Sequence, residues 1–304
     1  MSNPWDPQVT VSPSLAIALI NTQCPPLAPV LLEPFGAGWD NTAYLVNGEW
    51  VFRFPRREIA VDLLETEMRV LPRLAPRLPL PVPRPEWRGR PDANYPWPFA
   101  GYRLLPGRVA SNAGLDDAAR AAMARPLGEF LKALHSVDVR EAEQWGAGPD
   151  VHARLDEDRL RTLVVPRLDD LVARVAIASA DSWLEIFERG VRAPLSEVPA
   201  LVHGDLYSRH LLVDDRDAIC GVIDFGDLHV GQPALDLSIA WSLLPVAARP
   251  AFFEAYGAVS ESVAEKARLR ALVSAVSQEA YGRAVGDTAI EQEGLRALRC
   301  LLAE

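Results

Sequence analysis

The stretch ALVHGDLYSRHLLVDDRDAICGVIDFGDLHVGQPALD, from Ala200 to Asp236, gathers the side chains best suited to chemistry. His203, Asp205, His210 and Asp224 stand at the margins of two short apolar runs, Leu211–Val213 and Ile219–Ile223, which read as strands. A loop, a short hairpin and the turn Ile223-Asp224-Phe225-Gly226 can bring those groups together. A carboxylate that accepts a hydroxyl proton, close to ligands for Mg²⁺, is the equipment of phosphoryl transfer. Two other readings start from the same residues. One is a hairpin with solvated acids. The other is a metallohydrolase centre of His203, Asp205, His210 and His229, which lacks a helical H-x-x-x-H pairing and leaves the Ile-Asp-Phe-Gly turn without a role.

The motifs HGDLYSRHLL and VIDFGD resemble the phosphotransfer motif of the aminoglycoside phosphotransferase (APH) family, small-molecule kinases that share the protein-kinase fold. The resemblance implies that Asp205 is the catalytic base, Asp224 the main metal ligand, and His203 and Asp236 the structural supports of the loop. It places a second metal ligand at His210, where the family usually has Asn and its macrolide kinases also have His. An imidazole is a poorer ligand for Mg²⁺ than an oxygen donor, and tolerates Mn²⁺ better. Asp227, just past the turn, is a candidate substrate contact.

The resemblance asks the N-terminal part of the chain to hold a nucleotide. Ser12-Pro13 is an N-cap followed by proline, and Leu15–Ile20 supplies the apolar face of a short helix. Ala43–Val46 and Glu49–Phe54 flank Asn47-Gly48, a hairpin signal of type I′. Before it, Gly36, Gly38 and Asn41 form a loop whose backbone N–H groups could approach phosphates. Kinases of this fold place a lysine in the following strand, yet the sequence has none before Lys132. Arg53 is the candidate in its place, a bidentate rather than a point cation; a surface arginine is the plainer alternative. The span Glu58–Leu71 predicts a helix with Ile59, Leu63, Leu64, Met68 and Leu71 on its apolar face. By the resemblance Glu67 on that helix pairs with the strand cation, with Glu65 the weaker candidate. The proline-rich span 72–98 favours extended chain. The strand beginning at Phe99 resembles a kinase hinge, with Tyr102 and Leu104 beside the nucleotide base, and ends at Pro106-Gly107.

Beyond the hinge the pattern is helical. It predicts one helix over Asp116–His135 kinked at Pro126, one or two within Val151–Ala180, one over Asp181–Arg189, and a C-terminal layer at Pro233–Leu244, Pro250–Tyr256, Glu261–Ala284 and Ala289–Leu302. The fold expected is α+β and two-lobed, resembling the protein kinases. A small antiparallel-sheet lobe (1–105) would bind nucleotide, and a larger helical lobe (106–304) would hold catalytic and substrate-binding groups.

The 304 residues are enough for two such lobes. A formal charge of −10 argues against a nucleic-acid partner. Residues 1–107 are neutral, so the acidic excess lies entirely in 108–304, where it could concentrate a cationic substrate or merely keep the surface solvated. No run approaches the ~20 apolar residues of a membrane span. The first residues carry no basic and apolar leader pattern, and Cys24, Cys220 and Cys300 show no paired spacing. A cytoplasmic monomer or weak dimer is the expectation. The implied reaction uses Mg²⁺ with ATP or GTP to phosphorylate a hydroxyl of a small, cationic molecule. An antibiotic, aminoglycoside or macrolide, is the favoured acceptor, which would make the protein a resistance factor. The alternatives are a metabolite kinase acting on choline, homoserine or fructosamines, and a silent nucleotide-binding module.

Overall fold

The computed structural model describes residues 7–37 and 40–303. The chain divides into two compact units, one of Met1–Pro76 with Val82–Leu105, the other of Arg77–Pro81 with Pro106–Glu304.

The first unit is a five-stranded antiparallel sheet with helices beside it. Helix α1 (Pro13–Gln23) starts where expected, with the Ser12 hydroxyl accepting the Leu15 N–H. Strands β1 (Leu32–Ala37), β2 (Asn41–Val46) and β3 (Trp50–Pro55) precede helix α2 (Ile59–Leu74), and β4 (Pro85–Gly89) and β5 (Phe99–Arg103) complete the sheet in the order β1-β2-β3-β5-β4. Asn47 and Gly48 both take positive φ, 54° and 68°, as a type I′ turn needs. Val46 pairs with Trp50, so the loop between them is one residue longer than the two-residue hairpin.

Period-two alternation along β3 decides what faces what. Phe52 and Phe54 are wholly buried in one core with Leu19 and Ile20 of α1, and the Phe54 and Phe99 rings stack at 4.7 Å. Arg53 points the other way and meets α2. That helix buries Ala60, Leu64, Glu67, Val70, Leu71 and Leu74, so its inner stripe is rotated from the expected one and Ile59 is exposed. The buried Glu67, which an apolar-pattern reading leaves off the inner face, accounts for the rotation.

The second unit holds two small sheets among helices. β6 (Arg108–Val109) leads to α3 (Asp117–Ala122), α4 (Ala124–His135), α5 (Val139–Trp145), α6 (Glu157–Ala173) and α7 (Asp181–Arg192). Strands β7 (Ala200–Val202), β8 (Leu211–Val213), β9 (Ile219–Val222) and β10 (His229–Gly231) follow, β8 pairing with β6 and β9, and β10 with β7. Short helices α8 (Ala234–Leu237) and α9 (Ile239–Ser242) precede α10 (Arg249–Tyr256), α11 (Glu261–Val285) and α12 (Thr288–Leu302). The single kinked helix expected over Asp116–His135 is two helices broken at Met123. Pro126 thereby falls in the first turn of α4, where a missing N–H costs nothing. No described helix is long and apolar enough to cross a membrane.

Helix α11 is the spine of this unit and packs on α6, α7, α8, α9 and α12. Its contact with α7 depends on Gly190, where an added Cβ would lie 2.4 Å from Leu269 Cβ and 2.9 Å from the Glu265 carbonyl oxygen. Gly190→Ala is therefore expected to destabilise the fold by about 1–3 kcal/mol, the cost of overpacking. A lower denaturant midpoint would show it; an unchanged midpoint would mean the helices part freely.

Candidate active site

The loop that follows β7 is fixed from below by one buried carboxylate. Asp236 is wholly buried; its Oδ2 accepts the His203 N–H at 2.7 Å and its Oδ1 the Gly204 N–H at 2.8 Å. Gly204 has φ +84°, and a Cβ there would sit 2.5 Å from the Asp227 carbonyl oxygen, so the turn requires glycine. Behind Asp236, His135 Nε2 lies 3.1 Å from Oδ2 and His135 Nδ1 lies 2.9 Å from the Tyr256 hydroxyl. Burial pushes that phenol up to about 12, so it stays protonated. Burial alone would raise the Asp236 carboxyl, but the His135 hydrogen bond, the neighbouring imidazoles and the Gly204 amide hold it below the usual range.

His203 is a strut of the same loop. Its Nδ1 accepts the Asp205 N–H at 3.3 Å and its Nε2–H donates to the Ile223 carbonyl oxygen at 3.0 Å. Burial lowers its pKa, which keeps the ring neutral in that tautomer. Its ring packs 4.6 Å from that of the wholly buried Phe225, which anchors the turn carrying Asp224. Asp224 itself takes φ 64°, the left-handed region that Asp tolerates better than most residues.

Three side chains then converge. His210 Nδ1–H donates to the Asp205 carbonyl oxygen at 2.7 Å and lies 4.0 Å from Asp205 Oδ2. That fixes the ring so that Nε2 faces Asp224 Oδ2 at 3.3 Å. Arg270, from α11, brings Nη2 to 3.2 Å from Asp205 Oδ1. Removal from water raises the Asp205 pKa, as does the nearby Asp227; the charges of His210 and Arg270 oppose this without cancelling it. For His210 burial pulls the pKa down, but the Asp224 hydrogen bond and charge lift it above the ordinary value.

Asp227 carries an ion pair with Arg154, which also holds Asp150 Oδ1 at 2.5 Å. The carboxylate expected to meet substrate is thus already matched by a guanidinium. His229 Nδ1–H donates to the Asp227 carbonyl oxygen at 2.7 Å. The metallohydrolase set is not assembled, because both His203 nitrogens are engaged by backbone groups. Among the described residues no cluster of three or more His, Cys, Asp and Glu is arranged to hold a metal.

In the first unit Arg53 Nη1 meets Glu67 Oε2 at 2.9 Å and Oε1 at 3.1 Å. The arginine side chain is 17 % exposed and the glutamate 0 %, so this is an interior ion pair. Glu65 turns instead to Arg69 and Arg88. Gly36 is exposed, at an irregularity of β1 opposite Ala43. Gly38 lies outside the described residues. Asn41 opens β2, and among the described residues its Oδ1 is buried without a hydrogen-bond donor. Tyr102 is buried in β5; the Leu104 N–H donates to the Glu49 carbonyl oxygen at 2.8 Å, which leaves the Leu104 carbonyl for any further partner.

Residues 31–272 match the model of the phosphotransferase enzyme family, APH. The chain belongs to that family. The GDP and kanamycin complex of APH(2″)-IIIa superposes with a TM-score of 0.68 and 28 % identity, over 93 % of this chain and 96 % of that one. Macrolide 2′-phosphotransferase MphH from Brachybacterium faecium gives 0.58 and 25 %, over 88 % and 91 %. The uncharacterized protein YcbJ of Bacillus subtilis (strain 168) is 25 % identical over 199 residues, and that alignment spans 62 % of this chain and 60 % of YcbJ. Membership and these likenesses place the chain among the small-molecule kinases, with an antiparallel-sheet unit followed by a helical one.

Sequence reading missed Arg270, Arg154, His135 and Tyr256. The only signal for Arg270 was a basic pair, Lys266 and Arg270, four residues apart beside the buried Ala267 and Leu269 of α11.

Proposed function

We propose that this family member transfers the γ-phosphoryl group of ATP or GTP to a hydroxyl of an antibiotic, an aminoglycoside or a macrolide, and so confers resistance. The observation that carries the reading is the convergence of Asp205, His210 and Asp224 on one loop and one turn, with Nε2 of His210 3.3 Å from Asp224 Oδ2. In this reading the first unit binds nucleotide and the second holds the catalytic and acceptor-binding groups. Antibiotics are favoured because the likenesses include a kanamycin-bound enzyme and a macrolide enzyme.

Asp205 accepts the proton of the acceptor hydroxyl as that oxygen bonds to the γ-phosphorus and the bond from that phosphorus to the β,γ-bridging oxygen breaks, releasing ADP or GDP. Asp236 and His203 hold the Asp205 backbone in place. Asp224 and His210 would hold Mg²⁺: with Nδ1–H committed to a carbonyl, a neutral His210 ring would have Nε2 as its donor atom, 3.3 Å from the Asp224 carboxylate oxygen that would share the ion. When bound, the ion supplies neutralisation of phosphate charge. Arg53, held by Glu67, contributes a guanidinium to the donor phosphates.

Release of ADP and GDP in Mg²⁺, measured with kanamycin and with a macrolide, tests the reading. Release driven by one of them supports it, and none above the rate without acceptor contradicts the antibiotic assignment.

Arg53→Ala is expected to raise KM for nucleotide by about 10–100-fold, the value of a hydrogen bond to a charged group. Arg53→Lys should recover part of that loss, since lysine keeps the charge but not the fork. Initial rates at varied nucleotide would show it; an unchanged KM in the alanine variant would move the phosphate cation elsewhere.

A further inference from the structure

We infer that Arg270 is the positioning residue that orients the transfer carboxylate; this rests on the phosphotransfer reading above. An Asp carboxylate turns broadly about its terminal torsion. Asp236 fixes the backbone at His203 and Gly204, but that does not decide which Asp205 oxygen meets the acceptor. Arg270 decides it. Its Nη2 is 3.2 Å from Asp205 Oδ1 and 3.5 Å from the Gly204 carbonyl oxygen, so one guanidinium spans the side chain and the turn before it. With Oδ1 held by a charge-assisted bond, Oδ2 is the oxygen left for the hydroxyl proton.

The mount is rigid. Arg270 stands in the middle of α11, between Leu269 and Ala271, both wholly buried, and the Gly190 contact pins this stretch of α11 to α7. Its side chain is only 14 % exposed. A group carried by a packed helix is placed more tightly than one carried by a loop. The loop has a basic residue of its own, Arg209, but that side chain lies 3.9 Å from Asp287 instead. A cation from 65 residues away does what the local one does not.

The test uses the full chain with Mg²⁺ and ATP or GTP, kanamycin and a macrolide as acceptors, and water as the acceptor of last resort. Arg270→Ala and the longer, neutral Arg270→Gln should each lower kcat about 10–100-fold, the scale of a misplaced reacting group. KM for nucleotide, nucleotide affinity by calorimetry and the denaturant midpoint should stay near wild type. Arg270→Lys should recover part of kcat, and millimolar guanidinium ion should restore activity to the alanine variant. Wild-type kcat in both neutral variants overturns the proposal and leaves phosphotransfer standing. A kcat loss that comes with an equal loss of nucleotide affinity or of folding overturns it too, since the role would then be structural. If the wild type transfers to no acceptor and hydrolyses no nucleotide, the phosphotransfer reading falls and this inference falls with it.

Discussion

Asp205→Asn is expected to lower kcat by about 10²–10⁴-fold, the range for a positioned general base, with nucleotide affinity nearly unchanged. The substitution is close in shape and keeps an oxygen that can accept from Arg270, so the loop and its 3.2 Å contact can survive. What disappears is the capacity to take a proton. Partial removal from water, with the charge of Asp227, raises the Asp205 pKa, and a more basic carboxylate is the better acceptor. Steady-state rates with calorimetry of nucleotide binding separate the two effects. Near wild-type turnover would remove Asp205 from the role; loss of nucleotide binding along with turnover would make it a structural residue.

Asp224→Ala should abolish turnover and metal-dependent nucleotide binding together, a loss of about three orders of magnitude or more, as expected when several kcal/mol of charge stabilisation are removed. Alanine carries a second fault, since it fits φ 64° poorly. Asp224→Asn separates the causes, because asparagine accepts the left-handed backbone while lacking the charge. Both variants should fail alike. If Asp224→Asn binds Mg²⁺–nucleotide with native affinity by calorimetry, the carboxylate does not hold the ion and the pair with His210 Nε2 has another purpose.

What could be read from the residues was mostly local. Asn47-Gly48 dictated its own turn, because few other residues sit comfortably at positive φ. The alternation along β3 set Arg53 opposite the phenylalanines and therefore toward α2, where it meets Glu67. The absence of lysine ahead of Lys132 made that arginine conspicuous. The helix register failed at Ile59 for a physical reason: a stripe of apolar residues alone excludes a glutamate, whereas the interior ion pair brings Glu67 to the centre of the buried face.

The unread part was long-range. Arg270 reaches Asp205 across 65 positions, Arg154 reaches Asp227 across 73, and His135 reaches Asp236 across 101. No spacing rule connects such pairs. Each arginine lies in a sequence rich in arginine, so its type carried no information until the fold chose its neighbour. The acidic excess of residues 108–304 illustrates the same limit. It suggested a field for cations, yet two acids of the site, Asp205 and Asp227, are each matched by a guanidinium. Charge counted along a chain is not charge presented at a site.

The most direct test of the central claim follows the phosphorus itself. The protein is incubated with Mg²⁺ and γ-labelled ATP or GTP in the presence of kanamycin or a macrolide, beside the Asp205→Asn variant. The account predicts label on the antibiotic in one stoichiometric transfer per nucleotide consumed, and almost none with the variant. Label that appears only as inorganic phosphate, or equally with both proteins, would contradict it.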